Sequence, residues 1–151
     1  MRVVGIVPIC VASAVVYLSP RDTPVVTVYM RSDCDSCRGW MRYLEAHGFR
    51  TEVGKASDWP AVRARFKLPP RFRSQHTAVV NGLLLEGNVP AGEIYYVLKK
   101  PEHGHIRGLV VPGLPRGAPG LHSIAAEPYV VFAVQDSGLT RPFSTHHHGI
   151  Q

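Results

Sequence analysis

Apolar residues are grouped into short runs and helical stripes that predict alternating strands and helices. Residues 25–30 form a six-residue apolar run rich in β-branched side chains, which predicts a buried strand. After a polar segment, Cys37, Met41 and Leu44 lie at i, i+4 and i+7 and so share one face of a helix that can end at Gly48. A strand therefore leads into a helix across residues 31–36.

The rest of the pattern predicts two further helices and two hairpins. A weak strand is expected over residues 49–53 and a helix over residues 58–66, with Pro69 and Pro70 as its stop. Asn81-Gly82 is a strong turn signal and predicts a hairpin over residues 77–86. A helix over residues 90–100 should direct Ile94, Val97 and Leu98 inward, and a last hairpin should span residues 129–143. Residues 101–128 contain ten Gly or Pro and predict a long ordered loop or a mobile flap.

Composition is that of one globular domain. The chain has 151 residues, of which 45% are apolar and 19% charged, so a disordered chain is excluded. The formal net charge of +6 favours anionic surfaces without indicating a fold. Three cysteines exclude a scaffold held by several disulfides. The order of elements predicts an α/β fold with a mixed sheet.

The N-terminal segment resembles a targeting sequence. Residues 3–18 carry no charge, but the run is short for a membrane span and contains Pro8. Ala12-Ser13-Ala14 has the small-x-small form of a signal-peptidase site, so residues 1–19 are expected to be a secretory signal, with an uncleaved anchor or a buried strand as alternatives. Outside the cytoplasm a thiol pair is bridged, metallated or actively reduced.

Cys34 and Cys37 form a Cys-x-x-Cys motif at the strand-to-helix junction. A sulfur at a helix N-terminus is favoured as thiolate by the free N–H groups and the dipole. Cys37 shares the apolar stripe and should be the buried partner, which leaves Cys34 more exposed. An inert disulfide closing so short a loop would contribute only roughly 2 kcal/mol. A redox or metal role is therefore favoured.

Several segments resemble, in one order, the CopG-type family of small periplasmic metal-binding proteins associated with copper resistance. The resemblance spans residues 24–143 and implies a thioredoxin-like fold and a periplasmic location. The domain is accordingly placed at residues 24–143, with a His-containing tail at 144–151. The matching segments are the cysteine motif and residues 44–49, 74–82, 86–90 and 108–115.

The chain departs from the family pattern at metal ligands. The family motif reads Cys-Gly-Cys-Cys where this chain has Cys34-Asp35-Ser36-Cys37. One further cysteine, one histidine and two methionines are replaced by Gln75, Asn88, Leu114 and Leu121. All the lost ligands suit Cu(I), so a multi-copper thiolate cluster is not expected. One Cu(I) held by Cys34 and Cys37, with His76 as a third ligand, is expected instead, and a pure dithiol is the alternative.

Other histidines are weaker candidates. His76 precedes a predicted strand and is either a third ligand or proton acceptor, or an ordinary hydrogen-bonded residue. His103 and His105 could together bind a metal ion, although solvated loop histidines are common. His146, His147 and His148 could bind Cu(II) or Ni(II) weakly, the alternative being a frayed tail or cloning remnant.

A cluster of cations spans the end of the second predicted helix and the residues that follow it. Five cations occur within eleven residues, but their spacing of two does not make one helical face and no aromatic stacking pattern accompanies them. Nucleic-acid binding is therefore not expected. A solvated edge that contacts anionic lipid or an acidic partner is expected instead. The five are Arg63, Arg65, Lys67, Arg71 and Arg73.

Three functions remain open from the sequence. The first is a periplasmic metal-handling protein that binds Cu(I) through Cys34 and Cys37, with a redox or copper-resistance protein as partner and membrane contact only through the N-terminal segment. The second is a thiol–disulfide oxidoreductase in which Cys34 attacks and Cys37 resolves. Thr77 weakens the oxidoreductase hypothesis, because a proline usually occupies this position opposite such a motif. The third is a ligand-depleted scaffold that binds a partner through residues 101–128.

Overall fold

The computed structural model describes residues 23–121 and 125–147. The predicted leader and residues 148–151 of the predicted tail lie outside the described residues. The strands are β1 (Val25–Met30), β2 (Arg50–Val53), β3 (His76–Val80), β4 (Leu83–Glu86), β5 (Ile106–Val110), β6 (Tyr129–Gln135) and β7 (Thr140–His146). The helices are α1 (Asp35–Ala46), α2 (Trp59–Phe66) and α3 (Ala91–Lys99). Short 3-10 helices occupy Ala56–Asp58, Pro70–Phe72 and Pro101–His103.

The seven strands form one mixed sheet in the order β2-β1-β3-β4-β5-β6-β7. The pairs β1/β2 and β4/β5 are parallel and are joined by crossovers through α1 and α3, while the other neighbours are antiparallel. The predicted α/β fold with a mixed sheet and flanking helices is confirmed. The arrangement of β1 to β4 around α1 is compatible with the expected thioredoxin-like core.

The prediction of a continuous loop over residues 101–128 is wrong at its centre. Residues 106–110 are β5, which pairs with β4 on one side and β6 on the other. A Cβ on Gly108 would lie 3.0 Å from the Leu84 Cβ, so glycine at this position allows the close approach of β4 and β5. Gly108, one of the glycines that indicated a loop, is therefore the residue that allows β5 to pair closely with β4.

The sheet is covered on both faces. Side chains alternate between faces along each strand, so Leu83 and Leu85 enter one core and Leu84 enters the other. The larger core contains Trp40 and Leu44 of α1 and Ile94 of α3, all fully buried. The second core lies under α2 and the segment after it, through Phe66, Leu68 and Phe72. Burial of each large side chain is worth about 1.5–3 kcal/mol, so both helical layers are held by the sheet.

The C-terminal hairpin forms one edge of the sheet. β7 extends to His146 and so includes residues 144–146, which sequence analysis placed in the tail. Pro142 lies opposite Phe132 next to a register shift in β6. None of the helices in the described ranges is long and apolar enough to span a membrane.

Candidate functional site

Cys34 and Cys37 meet at the N-terminus of α1. Cys34 is the N-cap residue, and its sulfur accepts a hydrogen bond from the Cys37 backbone N–H at 3.3 Å. The two sulfurs are joined in a disulfide, with 5.3 Å between the Cα atoms. Cys37 is fully buried in the larger core and Cys34 is half-buried, as the helical stripe predicts. The more accessible sulfur is therefore that of Cys34.

Charges around this helix end are balanced locally. The Arg31 guanidinium hydrogen-bonds the Asp33 carboxylate at 2.8 Å and holds the pKa of Asp33 at about 2, well below its usual range. Arg38 donates to the Ser32 carbonyl at 2.8 Å and lies 3.5 Å from Asp35. Two cations and two carboxylates thus flank the cysteine pair on the α1 side.

The residues that replace two of the family ligands lie directly beside Cys34. Ser36 Oγ is 3.5 Å from the Cys34 sulfur and donates a 2.9 Å hydrogen bond to Gln75 Oε1. Gln75 Oε1 is itself 3.7 Å from the same sulfur. The chain therefore presents a hydroxyl and an amide to Cys34 at the two positions where the family pattern has thiols.

The loop at residues 112–121 packs on α1 beside the motif. The backbones of Gly39 and Gly120 approach so closely that a Cβ on Gly39 would overlap the Gly120 carbonyl oxygen. Asn88 is buried, and its amide nitrogen donates to the Pro119 carbonyl at 2.8 Å. Of the two leucines that replace family methionines, Leu114 is exposed and Leu121 half-buried. This part is therefore packed against a helix, which agrees with the alternative of a long ordered loop.

His76 is the first residue of β3 and is 1% exposed. Its ring packs against the Trp40 ring with centroids 4.6 Å apart, and its Nε2 has no hydrogen-bond partner among the described residues. Burial lowers the pKa of His76 to about 4, against an opposing hydrogen bond with the Gly87 backbone, so the imidazole is neutral at pH 7. Within residues 23–121 and 125–147, no three His, Cys, Asp or Glu side chains are grouped so that they could hold a metal.

Two of the other candidate histidines, His103 and His146, are used in packing, whereas His105 and His147 are exposed and His148 lies outside the described residues. The His103 ring packs on Tyr96 at 4.9 Å and is 6.4 Å from the His105 ring. His146 stacks on Tyr129 at 4.8 Å, and its Nε2 is 2.5 Å from Glu93 Oε1. His146 is therefore an ordered strand residue tied to α3.

A buried polar network behind β3 is a feature that sequence analysis missed. Glu86 is fully buried and accepts 2.6 Å hydrogen bonds from Arg63, the Ser74 backbone N–H and Thr77. Thr77 also accepts from Trp59 Nε1 at 2.7 Å. Burial raises the pKa of Glu86, although these hydrogen bonds and Arg63 oppose the shift. The signal available in the sequence was a carboxylate directly after the apolar run 83–85, which has to find a partner.

Comparisons with known proteins show a likeness along most of the chain. A family model described as "Protein of unknown function, DUF411" matches residues 72–121. Two solved structures named "Copper resistance protein copG", Form 1 and Form 2, are 29% and 30% identical to this chain, with TM-scores of 0.75 and 0.74. Each comparison covers 83% of this chain and 99% of the solved chain. No curated protein sequence matched.

Proposed function

Because this chain belongs to the CopG-type family, we propose that it handles copper by binding one Cu(I) through the thiolates of reduced Cys34 and Cys37. The observation that supports this most directly is the meeting of the two sulfurs at the N-terminus of α1, with Cys34 half-buried rather than sealed. Thiolates are soft ligands that select Cu(I), and two of them can hold it in two-coordinate form.

Local chemistry favours such a site once the bridge is reduced. Reduction adds two electrons and two protons, and copper binding then releases the thiol protons, so affinity should rise with pH. The backbone N–H of Cys37 already points at the Cys34 sulfur and would stabilise a thiolate there. The neighbouring side chains, Ser36 and Gln75, supply only oxygen and amide donors, which limits the proposal to one metal ion.

His76 enters this proposal as a third donor. Its ring is neutral at pH 7, and its Nε2 lacks a partner in the described part of the chain. Since no three-ligand group is formed by the described residues, the ring has to shift against Trp40 to reach the metal. A His76→Gln variant should then lose at least tenfold in Cu(I) affinity. Unchanged affinity would restrict the site to the two cysteines.

The copper proposal is tested by adding Cu(I) to the reduced full chain in competition with the chelator bicinchoninate. The wild type should retain one ion per chain, and a Cys34→Ser/Cys37→Ser variant none. Cys10→Ser is the matched control, because it removes the remaining thiol outside the motif and should retain copper. Equal retention by the wild type and the double variant would refute the proposal.

We propose further that the protein works in the periplasm, with residues 1–19 as its signal or anchor and a domain that begins at residue 24 and extends through β7 to His146. A bridged cysteine pair fits an oxidising compartment, where a redox or copper-resistance partner would have to keep the thiols reduced. Cell fractionation together with the mass of the mature N-terminus tests this. Recovery of the chain in the cytoplasmic fraction would contradict it.

A thiol–disulfide oxidoreductase is the second candidate, favoured by the bond between half-buried Cys34 and buried Cys37. In that function Cys34 would attack and Cys37 would resolve the mixed disulfide. A redox titration tests this candidate, because a potential below about −300 mV is that of a stable structural bridge rather than of a catalyst.

A further inference from the structure

A segment rich in positive charge packs on the face of the sheet opposite α1. Residues 59–85 contain five cations and no Asp or Glu. Of these, Arg63 pairs with buried Glu86 at 2.6 Å. The other four are exposed, and none has an ion-pair partner in the part of the chain that the structure describes: Arg65, Lys67, Arg71 and Arg73.

Packing places these charges together although their spacing is not helical. α2 ends at Phe66, Lys67 has a left-handed backbone with φ of 50°, and the 3-10 helix Pro70–Phe72 follows. Phe66 and Phe72 point into the second core, with the guanidinium carbons of Arg65 and Arg71 5.6 and 4.7 Å from their ring centroids. The aromatic anchors therefore hold the alternate cations outward. Residues 65–73 are called the basic segment below.

The basic segment leads directly to the cysteine pair. Arg73 is two residues before Gln75, whose side-chain oxygen is 3.7 Å from the Cys34 sulfur. Two residues span at most about 7.6 Å between Cα atoms, so the basic segment ends close to the residue that contacts Cys34.

A surface recess follows the same path. A hollow of about 360 Å³ is lined by Trp59, Arg73 and Ala56, and Ala56 also borders a second hollow of about 490 Å³ that reaches Ser32 and Asp33. Of the four exposed cations, Arg73 lines this recess, which ends at Asp33, the residue before Cys34. The charges of Arg31 and Asp33 at that end cancel as a pair.

We infer that the basic segment steers negatively charged carriers of copper onto Cys34. A surface of one sign beside a recess raises the local concentration of oppositely charged reactants and can increase association rates by about 10- to 1,000-fold. The inference rests on the proposed function, because it takes Cys34 as the exchanging atom, and it adds the charge class of the partner.

The test compares alkylation of Cys34 in the reduced full chain by anionic iodoacetate and neutral iodoacetamide. In both reactions the Cys34 thiolate attacks the methylene carbon, an S–C bond forms, the C–I bond breaks and iodide leaves. Each rate constant is divided by the rate constant of the same reagent with a free cysteine peptide, and the iodoacetate value is then divided by the iodoacetamide value. Because both reagents react with the same thiolate, this ratio is independent of its thiolate content and access. Mass spectrometry assigns the modified residue.

At 10 mM salt the ratio of iodoacetate to iodoacetamide should be about ten in the wild type, and it should approach one at 0.5 M salt. A variant with Arg65, Lys67, Arg71 and Arg73 changed to Gln should have a ratio near one at both salt concentrations. The matched control changes Arg42, Arg50, Lys99 and Arg141 to Gln. These four cations are exposed elsewhere, and their loss lowers the net charge equally.

The outcomes distinguish failure of the steering inference from failure of the proposed copper site. A control variant that retains the wild-type ratio supports steering by the basic segment. Equal ratios in the two variants overturn the steering inference while leaving copper binding intact. Failure of both reagents to modify Cys34 would mean that the sulfur is inaccessible, and would remove the proposed function together with the inference.

Discussion

Gln75 Oε1 lies 3.7 Å from the Cys34 sulfur, although 41 residues separate the two in the chain. Ser36 joins them, with its hydroxyl 3.5 Å from the same sulfur and 2.9 Å from the Gln75 oxygen. A sulfur placed at position 36 or 75 would therefore be an immediate neighbour of Cys34. The number of metal ions bound at the site should depend on these two positions.

A Ser36→Cys/Gln75→Cys variant should bind at least two Cu(I) per reduced chain, where the wild type binds one. Four thiolates around one point can share copper ions, whereas hydroxyl and amide groups bind Cu(I) poorly. Elemental analysis after chelator competition measures the ratio of copper to protein. Ser57→Cys/Ser137→Cys adds two thiols at exposed positions and should not raise it. An equal rise in both variants would contradict the role of this geometry.

The buried imidazole of His76 should make stability depend on pH. The folded-state pKa of about 4 lies below the ordinary value of 6.5, so only the unfolded chain gains this proton between those values. The free energy of unfolding should then fall by roughly 3 kcal/mol as the pH is lowered from 6.5 to 4. Urea unfolding of the oxidised wild type and of His76→Asn isolates the effect, because other groups titrate in both. Parallel pH profiles would contradict it.

Contact between Gly39 and Gly120 should be sensitive to a single methyl group. Alanine normally stabilises a helix by about 1 kcal/mol relative to glycine, but a Cβ at Gly39 overlaps the Gly120 carbonyl oxygen. We expect Gly39→Ala to destabilise the protein by about 1–3 kcal/mol. Gly92→Ala in α3 is the control, because no heavy atom lies within 4 Å of its new Cβ. Urea denaturation should show a loss in the first variant and none in the second.

Arg63→Met should leave Glu86 buried without its cation and cost about 3–5 kcal/mol at pH 7. Removal of Arg63 removes an influence that lowers the pKa of Glu86, so the carboxyl will protonate more readily. The deficit relative to the wild type should therefore shrink as the pH is lowered. Exposed Arg65→Met should cost less than about 0.5 kcal/mol, and thermal unfolding at two pH values measures all three proteins.

The strand-to-helix junction was predictable because it is local. β1 is a continuous apolar run, and the stripe of Cys37, Met41 and Leu44 is complete within α1. The burial of Cys37 in the core and the greater exposure of Cys34 follow from that stripe alone. β5 was missed because the many Gly and Pro residues of 101–128 indicate a loop, and only the position of β4 shows why a glycine is needed at Gly108.

The surroundings of Cys34 were less predictable because they come from distant parts of the chain. The contacts of Gln75 and the packing of His76 on Trp40 depend on how β3 lies beside α1. The basic segment was read as a scattered set of charges because a helical period was applied to it. α2 ends at Phe66, and beyond that point the period no longer holds.

β7 bears on the behaviour of the protein at high concentration. A strand at the border of a sheet can template pairing with another molecule, which leads to aggregates or fibrils. Pro142 lacks a backbone N–H, the neighbouring register shift bends the ladder, and exposed Arg141 adds charge to the border. Sheet growth by addition of a second chain is therefore discouraged at the β7 edge.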